Sequence, residues 1–194
     1  MTAVTHHHYI IYKPYGYLSQ FVYNLKRNKK LLGELYPFLD GTMAIGRLDE
    51  DSEGLLLLTT DGMMSEIVRG RKMEKEYYVQ VDGLIGDDAI EKLRNGVEIG
   101  FKGTRYTTLP CNAFILHDVP DFPERGKKIR DERHGPTSWI SVTITEGKFR
   151  QVRKMTAAVG FPTLRLVRVR VGNIRLGNLE PGEVHEVEDL LSLL

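Results

Sequence analysis

The stretch GRLDEDSEGLLLLTTDG at residues 46–62 constrains the fold more than any other part of this chain. Four carboxylates occupy five positions (Asp49, Glu50, Asp51 and Glu53), and four consecutive leucines follow from residue 55. The leucines favour a buried strand, and the carboxylates favour a turn at its edge. Three interpretations fit this arrangement: a metal-binding loop, a solvated turn, or a catalytic carboxylate at the rim of a core.

The metal-binding interpretation fails on spacing. Counted from Asp49, the acids imitate the first ligands of an EF-hand loop, but the bidentate glutamate expected at the twelfth position is Thr60 here. A solvated turn explains Glu50 and Asp51. A carboxylate beside an arginine at the edge of a buried strand stays ionised while partly dehydrated, which suits a nucleophile or a base. That pattern favours a catalytic role for Asp49, which follows Arg47.

The charges are distributed unevenly along the chain. The net charge is +1, yet residues 146–175 hold eight basic residues and a single acid, so this basic segment carries +7 and the rest of the chain −6. Such asymmetry is typical of a positive face that binds a polyanion. A solvated surface rich in lysine and arginine would give the same count, so composition alone leaves both interpretations open.

The remaining composition sets the class of protein. The single cysteine, Cys111, excludes an internal disulfide and a CxxC metal site, and it fits a reducing cytoplasm. No apolar run reaches the length of a membrane span, and the N-terminal residues lack the pattern of a secretory signal. The adjacent histidines at residues 6–8 are compatible with a metal-binding tract but are more often incidental. We therefore expect a cytoplasmic protein that does not associate with membranes.

Hydrophobic periodicity predicts mostly strands, with a few helices between them. Predicted strands lie at residues 9–21, 43–49, 54–62, 74–83, 138–147 and 163–176, and predicted helices at 31–39, 63–68, 87–97 and 148–160. A repeating βαβ pattern is absent, so we predict an α+β fold with a mixed, largely antiparallel β-sheet. Residues 118–137, rich in proline and charge, are predicted to be a loop that is flexible or ordered by a partner.

Four segments resemble, in the right order, the motifs of the RsuA-type pseudouridine synthase family. The opening stretch resembles GRLDxxSxGLLLLTNDG, which surrounds the catalytic aspartate of that family. YIIYKPYG resembles its first strand, KEYYVQVDG the segment with an active-site tyrosine, and EGKFRQVRKMTAAVGFPTLRLVRVRVG its basic motif. The resemblance runs from Tyr9 nearly to the C-terminus. It implies the family's catalytic fold, with a few helices flanking the sheet and a central cleft, and an isomerase that acts on RNA.

The resemblance also implies roles for five residues. Asp49 is the essential carboxylate, Tyr77 stacks its ring on the flipped uracil, and Arg153 pairs with Asp49. Leu166 corresponds to the apolar floor of the uracil pocket, and Arg47 to an arginine that holds the space vacated by the flipped nucleotide. Taken alone, these residues also fit plainer roles in a core, a salt bridge or a solvated helix face. The isomerisation needs no metal and no cofactor.

RNA is the partner that this resemblance implies. A uridine in folded RNA must leave its stack to reach a catalytic side chain, and phosphate contacts supply most of the affinity. We predict phosphate contacts from the loop LKRNKK at residues 25–30 and from five residues of the basic segment: Lys148, Arg150, Lys154, Arg165 and Arg168.

Side-chain directions follow from the predicted elements. Tyr78 faces away from Tyr77 on its strand and is the tyrosine expected in the core. Four apolar residues share the inward face of the predicted helix at 148–160: Phe149, Val152, Met155 and Val159.

Within the family, the chain resembles a branch that lacks an N-terminal S4-type RNA-binding domain and acts on large-subunit (23S) ribosomal RNA. We therefore expect a flexible N-terminus at residues 1–8, and one monomeric catalytic domain at residues 9–194, made of two subdomains that share one sheet, with no S4 domain. The resemblance leaves two routes open for Asp49: attack on the ribose C1′, or removal of the C2′ proton to give a glycal.

Two other functions compete with this hypothesis. One is a non-catalytic rRNA-binding or ribosome-assembly module on the same scaffold, which would not need Asp49, Tyr77 and Arg153 together. The other is a carboxylate glycosidase, which would need a second acid across a cleft from Asp49, and the sequence offers no specific candidate.

Overall fold

The computed structural model describes residues 5–22, 29–70, 73–130 and 132–194. The chain divides into two compact units, one formed by Met1–Met73 with Arg168–Leu194 and the other by Glu74–Val167. Each unit has its own strands and helices.

The first unit is built on strands from both ends of the chain. In its N-terminal part these are β1 (His8–Lys13), β2 (Tyr17–Leu18), β3 (Lys30–Leu31), β4 (Met43–Ile45), β5 (Glu53–Thr59) and the helix α1 (Gly62–Gly70). β1 pairs antiparallel with β5 from end to end, with His8 opposite Thr59 and Lys13 opposite Gly54. β4 pairs antiparallel with the second half of β5. β5 is thus covered by strands on both edges, and all seven of its residues are buried.

The second unit follows directly along the chain. Its elements are β6 (Lys75–Asp82), α2 (Asp87–Asn95), β7 (Glu98–Phe101), β8 (Thr104–Thr107), β9 (Asn112–Leu116), β10 (Thr137–Ile144), α3 (Gln151–Ala158) and most of β11 (Thr163–Val171). β10 pairs antiparallel with β6 on one edge and with β9 on the other. β7 and β8 form a separate antiparallel hairpin. α2 ends at Gly96, whose φ of 92° lies in the region that favours glycine.

The chain returns to the first unit within β11, between Val167 and Arg168. There it adds β12 (Ile174–Arg175), β13 (Val184–Val187) and the short helix α4 (Leu190–Leu193). β12 pairs with the end of β11, and β13 pairs antiparallel with the free edge of β1.

The predicted fold class is confirmed. The strands pair antiparallel in every register given above, and the two-residue pair β2–β3 is parallel. The strands predicted over 74–83, 138–147 and 163–176 are present, as are the helices at 63–68 and 87–97. The sharing of one sheet by two subdomains stays a prediction.

Two helix predictions are wrong in whole or in part. Residues 31–39 hold only a 3₁₀ turn at Leu32–Glu34, after which the chain turns so that Tyr36 and Phe38 pack their rings on each other, with centroids 5.1 Å apart. The helix predicted at 148–160 begins only at Gln151, because Arg150 adopts a left-handed conformation with φ of 53°.

The loop at 118–137 and the N-terminal residues also make contacts within their own units, and the flexibility or partner ordering of the loop stays a prediction. The loop is attached to its own unit, since Phe122 packs on Trp139 (ring centroids 5.8 Å apart) and Arg130 pairs with Asp82. At the N-terminus, residues 1–4 lie outside the described residues. His8, predicted to be flexible, is buried in β1, and its Nδ1 lies 2.8 Å from Thr59 Oγ1. In the part of the chain that the structure describes, the helices lack the combination of length and apolar character that a membrane span requires.

Candidate active site

The loop that carries Asp49 is held on both sides by hydrogen bonds. On one side the Ser19 hydroxyl donates to Leu48 O at 2.7 Å, and Leu48 N–H donates to Ser19 Oγ at 2.9 Å. On the other side Ser52 N–H donates to Asp49 O at 3.0 Å. Gly46, with φ of 75°, provides the sharp entry to the loop. Asp49 is half-buried between these fixed points, so its carboxylate is presented from a rigid backbone.

The four carboxylates of this loop are not equivalent. Glu53 is the first residue of β5 and only 2% exposed, so it belongs to the interior. Glu50 is half-buried, its Oε1 is 2.6 Å from Lys29 Nζ, and its carbonyl accepts from Gly16 N–H at 2.8 Å. Asp49 and Asp51 are half-buried. A solvated turn therefore accounts for only part of the cluster.

Lys13 is a functional candidate that the sequence analysis missed. It is the last residue of β1, fully buried, and its ammonium donates to Pro14 O at 2.9 Å and to Tyr17 O at 2.7 Å. Burial lowers the pKa of the Lys13 ammonium to about 7. The carboxylates that oppose this shift are, in decreasing order, Glu53, Asp51, Asp49 and Glu50. A lysine inside an apolar strand pattern, as in YIIYKP, is the sequence signal that would have identified it.

The buried tyrosine of β6 is Tyr77, whereas the sequence predicted Tyr78. Along β6, Tyr77 lies on the buried face together with Val79 and Val81. Tyr78 is half-buried on the other face, where its ring centroid is 6.1 Å from that of Phe122. The expectation that Tyr78 is the core tyrosine is therefore wrong. Tyr77 retains a small exposed fraction of 8%.

The start of α3 is organised by one glutamine. Lys148 N–H donates to Gln151 Oε1 at 2.9 Å, and Gln151 Nε2 donates to Glu146 Oε1 at 2.6 Å. The other oxygen of Glu146 accepts from the Tyr106 hydroxyl. This network fixes the turn at Arg150, after which Arg153 lies half-exposed on the first turn of the helix.

Phe149 departs from its predicted direction. Val152 and Met155 are buried and Val159 is half-buried, but Phe149 is 67% exposed. The reason is that Phe149 precedes the helix, so the helical periodicity that groups it with the others does not apply.

Two predicted phosphate contacts are lysines that lie over aromatic rings. Lys148 Nζ is 4.8 Å from the ring centroid of Tyr106 and 5.3 Å from that of Phe101. Lys154 Nζ is 5.4 Å from the ring centroid of Phe149 and donates to a backbone carbonyl of β7 at 2.8 Å. Both lysines are half-exposed, so each presents a positioned cation at the surface.

Two of the predicted phosphate contacts, Arg165 and Arg168, have buried side chains. Arg165 is 7% exposed, donates to Pro123 O at 2.8 Å and lies over the Phe122 ring. Arg168 is 4% exposed and donates from Nε to Leu55 O at 2.7 Å. Four consecutive residues of β11, 165–168, are buried, so both faces of the strand are covered there. These two guanidinium groups support the interior and are not exposed cations.

The other predicted site residues are placed as follows. Arg47 is exposed in the first unit, close in sequence to Asp49, and Leu166 is buried in the second unit. Of the loop at 25–30, only Lys29 and Lys30 are among the described residues. Asp49 and Arg47 belong to the first unit, whereas Tyr77, Arg153 and Leu166 belong to the second. Their action at one site stays a prediction.

Metal and thiol chemistry find little support in the described part of the chain. No group of three or more histidine, cysteine or acidic side chains there is arranged to hold a metal ion. Cys111 donates to Leu93 O, and burial raises the pKa of its thiol to about 11. This cysteine is therefore a protonated structural residue at neutral pH.

Comparison with known proteins identifies similar sequences along almost the whole chain. The sequence model of the RNA pseudouridylate synthase family matches residues 7–158. The chain is 44% identical over 181 residues to "Ribosomal large subunit pseudouridine synthase E" of Vibrio parahaemolyticus, an alignment that covers 92% of this chain and 73% of that protein. It is 42% identical over 174 residues to the protein of the same name from Xanthomonas axonopodis pv. citri, with 89% of each chain covered.

Among solved structures, the fold resembles one described as "Crystal structure of pseudouridylate synthase". The TM-score is 0.75 at 24% sequence identity, and the superposition covers 96% of this chain and 73% of the other. At that identity the similarity concerns the fold alone.

Proposed function

Because the chain belongs to the RNA pseudouridylate synthase family, we propose that it isomerises a uridine of large-subunit ribosomal RNA to pseudouridine. The enzyme class follows from the family. The substrate class is supported by relatives 42–44% identical to this chain, whose names specify the large ribosomal subunit. The rival hypothesis of a non-catalytic module loses its support, since the matched family is one of enzymes.

The reaction breaks the N-glycosidic bond of uridine, rotates the freed uracil and rejoins it to the ribose through carbon 5. The atoms of the substrate are conserved, so neither an oxidant nor a second substrate takes part. The enzyme must stabilise the detached sugar and hold the uracil while it turns. A base inside folded RNA must first be extruded from its stack.

Asp49 is proposed as the catalytic carboxylate, and one observation carries this assignment. Its backbone is fixed on one side by the Ser19–Leu48 hydrogen bonds and on the other by Ser52 N–H, while the side chain remains half-exposed. A carboxylate held in this way can approach the ribose with little loss of conformational entropy. Attack on C1′ and removal of the C2′ proton both use the same ionised form.

Tyr77, Arg153 and Leu166 are proposed to complete the site. Tyr77 would stack on the uracil, Arg153 would keep Asp49 ionised, and Leu166 would line the uracil pocket. Their support is the family resemblance together with the burial of Tyr77 and Leu166 and the partial exposure of Arg153. Arg47 is proposed to occupy the space that the flipped nucleotide leaves, which fits its exposed position.

The RNA contacts are proposed to come from the exposed side of the turn before α3. Arg150, Lys148 and Lys154 are half-exposed there, and Phe149 offers a ring to a base. The proposal keeps the predicted cytoplasmic location and monomeric state.

The test compares Asp49→Asn with Glu50→Gln, which changes the neighbouring carboxylate that pairs with Lys29. Tritium release from [5-³H]uridine-labelled large-subunit rRNA measures turnover, and filter binding measures affinity. We expect Asp49→Asn to lose roughly a thousandfold or more in rate, because the reacting group is removed, with affinity retained. Glu50→Gln should turn over at close to the wild-type rate. Wild-type turnover by Asp49→Asn would overturn the assignment.

A further inference from the structure

The first unit contains a cavity that the proposed chemistry does not use. It has a volume of about 640 Å³ and is lined by residues 19–22, 33, 36–44 and 46–47. This volume is in the range of small-molecule and nucleobase sites. Asp49 is not among its lining residues, but Gly46 and Arg47 are. The cavity therefore borders the proposed active-site loop, with which it shares Gly46 and Arg47, and does not include Asp49.

The floor of this cavity is aromatic and anchored to the core. The ring of Phe38 lies 5.3 Å from that of Phe21 and 5.1 Å from that of Tyr36, measured between centroids. Behind them, the fully buried Tyr9 ring is 5.2 Å from Phe38 in an edge-to-face arrangement. Rings packed edge-to-face in this way are already ordered, so a flat ligand can stack on the face of one of them with little further loss of side-chain freedom.

The rim of the cavity is apolar and exposed. Val22 is 66% exposed, Leu39 47% and Met43 38%, and all three line the cavity. Single exposed apolar side chains are common on protein surfaces. Three exposed apolar side chains around one concave aromatic site are uncommon, and such clusters mark binding surfaces.

The charges of the described lining residues are compatible with an RNA base. The described lining residues include one acid, Asp40, and one base, Arg47, and both are exposed. A neutral ring is therefore accepted in the cavity, while a phosphate attached to it can be bound by the Arg47 guanidinium, whose planar donors match phosphate oxygens. Unstacked RNA bases are recognised in this manner, by stacking on aromatic rings beside a basic group.

We infer that this aromatic cavity binds a second, unstacked nucleotide of the RNA substrate, close in sequence to the uridine that reacts at Asp49. The distance is suitable, since Arg47 and Asp49 are two residues apart and their Cα atoms cannot be separated by more than about 7.6 Å. One strand can thus place the target at the loop and a neighbouring base in the cavity. The inference rests on the proposed function and adds to it a determinant of which uridine is chosen.

The first test fills the cavity. Ala44 lines it from the middle of β4 and is half-buried, so Ala44→Phe places a ring in the space of the base while leaving Phe21, Tyr36 and Phe38 in place. A second variant, Leu39→Ser with Val22→Ser, removes apolar rim groups at exposed positions and so spares the fold. The control is Met63→Ser, since Met63 is 73% exposed on α1 and does not line the cavity. Thermal unfolding of each variant checks that it is folded.

We expect Ala44→Phe to raise KM for large-subunit rRNA by roughly tenfold, the effect of losing one base–aromatic stack. The rim variant keeps the aromatic rings and loses only apolar contacts, so it should raise KM by a smaller factor. The kcat of both cavity variants should stay near the wild-type value, because the lost interaction is remote from the reacting atoms and is made equally in the ground state and the transition state. Met63→Ser should leave both constants unchanged. Wild-type KM in both folded cavity variants would overturn the inference, whereas an inactive wild-type protein would instead overturn the proposed function.

Crosslinking identifies the occupant. With p-benzoylphenylalanine at position 22, irradiation in the presence of deproteinised large-subunit rRNA should give crosslinks within a few nucleotides of the modified uridine, read as stops of reverse transcription. Crosslinks only at remote nucleotides, or only to ribosomal protein when whole subunits are used, would contradict a nucleotide occupant.

Discussion

The carboxylate loop at residues 46–53 and the basic segment at residues 146–175 are both clusters of like charge, but the structure distributes them differently. In the loop, the functional candidate Asp49 lies between fixed backbone positions. In the basic segment, Arg165 and Arg168 turn inward to backbone carbonyls, whereas Lys148 and Lys154 remain at the surface over aromatic rings. A charge count thus predicts the sign of a region but not which of its side chains reach solvent.

The largest effect on stability is expected when a buried arginine, and not an exposed one, is replaced. Replacing Arg168 by Met leaves the buried Leu55 carbonyl without its donor, and we expect the free energy of unfolding to fall by about 3 kcal/mol. The matched control is Arg175→Met, because Arg175 is exposed in the same unit. Urea unfolding of both variants measures the difference, and equal midpoints would show that Arg168 is not an internal support.

The second effect is the pH dependence of stability that the buried Lys13 of β1 causes. Burial lowers the pKa of Lys13 from 10.5 to about 7, so between these values the unfolded chain binds the proton that the folded chain lacks. Stability should therefore rise with pH in this window, by at most about 1.4 kcal/mol per pH unit. Lys13→Met removes this group, and its stability should be less dependent on pH there. Parallel pH profiles for the two proteins, from urea unfolding at pH 7 to 10, would contradict the buried position of the ammonium.

The third effect tests the outward side of the basic segment. If Arg150 contacts a phosphate, Arg150→Gln should reduce the slope of log affinity against log salt by about one. Arg165→Gln, which alters a nearly buried residue, should lower stability and leave that slope unchanged. Filter binding over a range of salt concentrations distinguishes the two variants. A reduced slope for Arg165→Gln with an unchanged slope for Arg150→Gln would show that Arg165, and not Arg150, contacts the phosphate.

The smallest effect is expected at the surface of the carboxylate loop. Glu50 pairs with Lys29 at 2.6 Å, but both side chains are about one third exposed, so Glu50→Gln should change the free energy of unfolding by less than about 1 kcal/mol. A larger loss in urea unfolding would mean that the ion pair, and not the hydrogen bonds of Leu48, fixes the loop.

The comparison also shows what the sequence can predict. β5 and α2 were predictable because their signals are local: a leucine run ended by Asp61-Gly62 in one, apolar spacing with a glycine cap in the other. The loop carrying Asp49 was predictable because its motif is contiguous. These features need no knowledge of distant contacts.

The failures have non-local causes. The 31–39 segment has apolar residues at helical spacing, but Phe38 packs against Tyr9, which is far away along the chain, and this contact overrides the local propensity. Arg150 adopts a positive φ that is uncommon outside glycine, so the late start of α3 had no local signal. The inward arginines depend on the burial of both faces of β11, which periodicity alone does not reveal.

The central claim is that Asp49 catalyses pseudouridine formation in large-subunit rRNA, and mapping of pseudouridine in the parent cells tests it most directly. Deleting the gene should remove the modification at a uridine of that rRNA, and complementation should restore it with the wild-type chain but not with Asp49→Asn. An unchanged pseudouridine map after deletion, or full restoration by Asp49→Asn, would contradict the account.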